Sequence, residues 1–111
     1  MKKRFLLFVM SCVVSWTFSQ TFSDDFESYT VGSYLGSSST DWTTWTAGQE
    51  GGTEDVQITN NNAISGSNSI YFSSTAANGG PQDVVLPFDQ VYNSGNFSFE
   101  ANFYVEAGKG A

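Results

Sequence analysis

FSFEANFYVE, residues 97–106, alternates without a break. Phe97, Phe99, Ala101, Phe103 and Val105 share one parity, and Ser98, Glu100, Asn102, Tyr104 and Glu106 share the other, which is the period of a β-strand with one face buried and one in water. A strand this long needs neighbours.

Reading back from it, shorter segments of the same kind appear between turn-forming residues. Residues 83–88 follow the breaker Asn78-Gly79-Gly80-Pro81, residues 69–73 follow Ser65-Gly66-Ser67-Asn68, and residues 55–59 precede Asn60-Asn61-Asn62. Val56 and Ile58 fall on one side of their segment, with Gln57 and Thr59 on the other. Residues 42–46 alternate rings and threonines, residues 30–39 read as a Gly/Ser loop, and residues 21–29 read as a first short strand. No segment after residue 19 has an apolar 3.6-residue period. About six strands with turns every ten to fifteen residues predict an all-β, antiparallel sandwich.

The core of that sandwich is short of material. A domain of this size buries only about 60–65 % of its unfolded surface, and the sequence passes from its longest strand into the turn-like Gly108-Lys109-Gly110-Ala111. Residues 20–111 are therefore expected to be the N-terminal portion of a larger sandwich.

The first nineteen residues set the compartment. Met1-Lys2-Lys3-Arg4 is a basic head, residues 5–14 are an apolar run, and residues 15–19 are a small and polar exit, which is the layout of a secretory signal peptide. The run is too short to span a ~30 Å hydrocarbon core, and no second such run follows, so export without stable membrane insertion is predicted. Val9-Met10-Ser11-Cys12 loosely resembles a lipoprotein box, but using Cys12 as a lipid anchor would leave a very short apolar region. Cys12 is the single cysteine, so the chain cannot close an internal disulfide.

Cleavage would remove Lys2, Lys3 and Arg4 and leave Lys109 as the one basic residue against all eleven acids. Such a surface repels phosphate backbones and argues against nucleic acid and anionic membrane as partners. The acids are spread among aromatic residues, unlike those of an acidic disordered tail.

The order DDFESYTVGSYLG, DWTTWTAGQEGGTEDVQITNNNAISGSNSIYF, GGPQDVVLPF and FSFEANFYVEAGKGA, covering residues 24–111, resembles the N-terminal jelly-roll module of exported Bacteroidetes proteins, of the concanavalin A-like (LamG) type. The resemblance implies a jelly-roll β-sandwich that binds glycans or mediates adhesion at the cell surface. It also implies companion domains, often including a type IX secretion sorting domain, which is not present in these residues.

Candidate site residues fall into two groups. Similar jelly rolls often carry a structural calcium near the first strand, and Ca²⁺ takes six to eight oxygens. Asp25, Glu27 and Asp55 are the candidate ligands, with Glu54 and Asp83 as further partners. The competing reading leaves Phe22 and Phe26 in the core and the acids in water. Trp42, Trp45 and Tyr71 are candidates for stacking on the apolar faces of sugars, with Tyr34 a lesser one. Trp42 and Trp45 differ in parity, so in a regular strand at most one of them is exposed, and Tyr71 should point outward.

Catalysis finds no support. The chain has no histidine, no zinc-type spacing and no phosphate loop. Glu100 and Glu106 share a face but would stand about 20 Å apart along a strand, beyond the roughly 5–9.5 Å of glycosidase carboxyl pairs. The Glu-x-Asp-x-x-Glu strand of laminarinase-type glucanases does not occur. The function expected is a non-catalytic carbohydrate-binding or adhesion module. A structural spacer and the front end of a polysaccharide-degrading enzyme are the alternatives.

Overall fold

The computed structural model describes residues 21–73, 79–88 and 91–109. The signal-peptide reading of residues 1–19 lies outside the described residues. Regular structure in the rest is almost wholly β. One short helical turn, α1 (Leu35–Ser38), is followed by β1 (Thr43–Thr44), β2 (Gln57–Thr59), β3 (Ser69–Tyr71) and β4 (Val84–Val85).

The strands form two antiparallel pairs. β2 pairs with β3 in the register Gln57↔Tyr71, Ile58↔Ile70 and Thr59↔Ser69, and β1 pairs with β4 in the register Thr43↔Val85 and Thr44↔Val84. The all-β class and the antiparallel pairing stand, in two small sheets. The turns at residues 60–62 and 65–68 close the β2–β3 hairpin, with Asn62 and Gly66 in the left-handed region (φ 57° and 63°).

A third segment extends the β2–β3 sheet. Leu35 N–H donates to the Val56 carbonyl (2.9 Å) and Ile58 N–H donates to the Ser33 carbonyl (2.9 Å), bracketing an antiparallel bridge between Tyr34 and Gln57. The Gly/Ser loop thus contains a stretch of sheet and then α1. Its apolar residue, Leu35, enters the core.

Parity decides the faces of this sheet. Val56 and Ile58 are fully buried beside Leu35, while Gln57 is exposed. Phe26, Tyr29, Trp42, Ile70 and Val84 pack around those three residues, so both strand pairs contribute to one core. Burying Leu35, Val56 and Ile58 stabilises the fold by about 1.5–3 kcal/mol each.

Two strand expectations are corrected. Residues 21–29 form turns, because Asp24 Oδ1 accepts the Phe26 N–H (2.9 Å), Asp25 Oδ1 accepts the Glu27 N–H (3.1 Å) and Phe26 takes φ 62°. Side chains that bind the backbone two residues on compete with a sheet ladder, and here they win. Residues 97–106 form no ladder with any described residue, and Phe97, Phe99 and Phe103 are 72–76 % exposed. Within this region Phe88 meets Tyr92 and Phe97 edge to face, at 6.1 and 5.6 Å between ring centres. Period-two alternation names the face a strand would bury, but backbone partners are needed to make the strand.

Candidate functional site

Asp55, one of the candidate calcium ligands, is 1 % exposed. Its Oδ1 accepts the N–H groups of Gly36 (2.9 Å) and Val56 (2.8 Å), and its Oδ2 accepts those of Ser37 (3.1 Å) and Gly51 (2.7 Å). One carboxylate therefore ties α1, the 46–54 loop and the entry to β2. A methyl group at Gly36 would stand only 3.0 Å from Oδ2, so this position has little room for a side chain.

Glu27 is occupied in a similar way. Its Oε1 accepts the N–H groups of Ser67 (2.8 Å) and Asn68 (2.7 Å), while Asn68 Nδ2 donates back to the carbonyls of Phe26 (3.0 Å) and Tyr29 (3.1 Å). This reciprocal latch clips the acidic turn to the hairpin. Among the described residues no three acidic side chains come together in a group that could hold a metal ion. Asp25, Glu27 and Asp55 are held in separate backbone arrangements.

A third acid organises the aromatic residues. Asp24 Oδ2 accepts the Tyr29 hydroxyl (2.9 Å) and the Trp42 indole N–H (2.9 Å), while the Ser39 hydroxyl donates to Tyr29 Oη (3.1 Å). Burial first, and the bond and charge of Asp24 after it, push the Tyr29 hydroxyl above the ordinary tyrosine value of 10.0, with the Ser39 bond opposing. The folded state thus holds the Tyr29 proton more tightly than the unfolded chain does. The stability from this group is fully present below about pH 10 and is lost as pH rises through the raised folded value. Urea titrations of the wild type and Tyr29→Phe at pH values on either side of 10 should show that alkaline loss reduced in the variant.

The two tryptophans part company as their parity requires. Trp42 is half-buried against the core, whereas Trp45 is 75 % exposed, with its backbone N–H donating to the Asp83 carbonyl (3.0 Å). Trp45 does not line the cleft that holds Tyr34 and Tyr71.

Tyr71 does line one. The Tyr34–Gln57 bridge and the Gln57–Tyr71 pair place three side chains in one row across the sheet. Directly opposed residues project to the same face, and the face opposite Ile58 carries Tyr34, Gln57 and Tyr71. Strand spacing of about 4.8 Å puts the two tyrosines roughly 10 Å apart with the Gln57 amide between them. The row borders a cleft of about 130 Å³ completed by Gly52, Thr53, Asp55, Ser73 and Gln82.

The cleft floor is fixed by internal bonds. Gln82 accepts the Ser73 N–H (2.5 Å) through Oε1 and donates to the Asp55 carbonyl (3.3 Å) through Nε2. The Gln57 side-chain amide and the two tyrosine hydroxyls make no hydrogen bond to another described residue. No protein-family model, curated protein or solved structure matches this chain. The chemistry of the row is therefore the ground for a functional reading.

Sequence reading pointed to Tyr71 as an outward ring and gave Tyr34 a lesser place, but it missed Gln57 as a site residue. The signal was present in residues 55–59, where Gln57 stands outward between the two buried positions. Its aromatic neighbours come from segments 23 residues before and 14 after, a pairing that strand alternation does not reveal.

Proposed function

We propose that this chain is a non-catalytic glycan-binding module of an exported protein, built on a jelly-roll sandwich. The observation that carries the reading is the Tyr34–Gln57–Tyr71 row, two rings flanking an amide that bonds to no other described side chain, on the sheet face opposite the core. Sugar rings offer an apolar face to aromatic side chains and a rim of hydroxyls to amides, and this row supplies both. Because the ring positions are set by sheet register, the surface is preformed and binding costs little ordering.

Glycan-array binding of the purified protein should be lost in Tyr71→Ala and retained in Trp45→Ala, with both variants keeping their thermal transition. Binding to no glycan would leave the spacer reading in its place. Loss in Trp45→Ala alone would move the platform to the exposed indole.

Export is supported by the basic head, apolar run and small exit of residues 1–19. Mass spectrometry of the secreted protein should find an N-terminus between Ser19 and Thr21. Recovery of a lipid-modified Cys12 would replace that assignment with a membrane anchor.

A further inference from the structure

The cleft beside the tyrosine row has a particular charge character. Its one carboxylate, that of Asp55, already accepts four backbone N–H groups and is 1 % exposed. No lysine or arginine lines it. Among the described residues the one basic side chain is Lys109, which lies elsewhere, while acids are plentiful. What the cleft presents is a set of uncharged polar groups: the Tyr34 and Tyr71 hydroxyls, the Gln57 amide, and the Thr53 and Ser73 hydroxyls.

An anion brought to this surface would lose water without gaining a cation, and a desolvated charge left unpaired is costly. The acidic excess of the chain adds a long-range repulsion of the same sign. A bound ammonium group would find no free carboxylate in the cleft, because the lone pairs of Asp55 are taken. Neutral hydroxyls cost far less to desolvate than charges do, and hydrogen bonds from the amide and the phenols offset that cost.

Direction follows from the register. Tyr34, Gln57 and Tyr71 lie on three adjacent segments, so the row runs across the strands. Its span of about 10 Å is longer than one sugar ring, with a ring platform at each end.

Resting on the glycan-binding reading above, we infer that the Tyr34–Gln57–Tyr71 row takes an uncharged pyranose chain laid across the strands and discriminates against uronate- and sulfate-bearing polysaccharides. Discrimination arises from missing counter-charge, and the two rings set the length of chain engaged.

Isothermal titration of the full chain with cellohexaose, mannohexaose, hexagalacturonate and a sulfated hexasaccharide tests this, at low and at high salt. At least one neutral hexasaccharide should bind with an affinity that salt does not change, and both anionic chains should bind at least about tenfold more weakly, which is 1.4 kcal/mol. Gln57→Ala and Tyr71→Ala, both at exposed positions, should each weaken neutral binding about tenfold or more while leaving the thermal transition in place. Tyr34→Phe should retain it if stacking at that end carries the affinity.

Anionic chains that bind as tightly as neutral ones, or that bind in a salt-sensitive way, would overturn the inference and leave glycan binding standing. Neutral binding untouched by Gln57→Ala and Tyr71→Ala would also overturn it by placing the site elsewhere. Failure to bind any of the four probes, together with a blank glycan array, would instead remove the glycan-binding reading itself.

Discussion

Replacing Asp55 with asparagine should cost about 3–5 kcal/mol, measured as a fall in the urea midpoint at unchanged slope. The substitution keeps the size and shape of the side chain but leaves one oxygen where there were two. Four backbone N–H groups, from Gly36, Ser37, Gly51 and Val56, now converge on those oxygens. An amide nitrogen in place of either oxygen would point its own hydrogens at two of the donors. Each buried donor left without an acceptor costs about 1–3 kcal/mol, and two such losses set the predicted range.

Asp55→Ala orphans all four donors and opens a void, so its loss should exceed that of the asparagine variant. Small domains have total stabilities in the region of 5–15 kcal/mol, and this one should lose its cooperative transition. If Asp55→Asn unfolds at the wild-type midpoint, the four-way acceptor does not anchor the loops. The same experiment bears on the cleft, because Asp55 lines it and its carbonyl receives Gln82. A loosened Asp55 should therefore weaken the proposed glycan binding as well as stability.

The parts of this fold that were legible in the sequence are those in which one residue's neighbours are local. Val56 and Ile58 alternate with Gln57 and Thr59, and their burial follows that alternation. The asparagine and glycine turns after β2 close a hairpin as their composition requires. Trp42 and Trp45 lie on opposite sides because they stand three positions apart, an odd spacing.

What the sequence hid depends on distant partners. Leu35 sits in a Gly/Ser stretch without periodicity, and its burial follows from a bridge to residues 56–58 that no local pattern announces. Asp25, Glu27 and Asp55 were read as candidate calcium ligands, and the sequence did not show that each also accepts backbone N–H groups, those of Asp55 and Glu27 from distant segments. The Asp24-Asp25-Phe26-Glu27 spacing did carry a hint, because aspartate commonly accepts the N–H two residues on and bends the chain there. Residues 97–106 show the converse limit: their alternation is complete, yet no described residue pairs with them.

Trp42 and Trp45 offer the other large effect, since two residues of one type, three positions apart, should respond oppositely to the same substitution. The Trp42 ring packs against the Leu35, Val56 and Ile58 cluster and meets Phe22 edge to face at 6.0 Å and Phe26 at 6.4 Å. Its backbone N–H donates to Ser39 Oγ (3.0 Å) and its indole N–H to Asp24 Oδ2 (2.9 Å). Trp42→Ala should cost about 3–5 kcal/mol, the usual loss for a large core ring. Trp45→Ala should stay within about 0.5 kcal/mol of the wild type, as substitutions of exposed side chains usually do, because the backbone bond to Asp83 is kept. Trp42→Phe separates the two sources of the loss, because it retains most of the ring packing and removes the indole N–H. Hydrogen bonds to charged groups contribute about 1.5–3 kcal/mol, so the phenylalanine variant should fall between wild type and alanine. Losses of equal size in Trp42→Ala and Trp45→Ala would contradict the assignment of Trp42 to the core and Trp45 to the surface. A Trp42→Phe variant as stable as wild type would confine the role of Trp42 to packing, leaving Tyr29 as the partner that fixes Asp24 in the acidic turn.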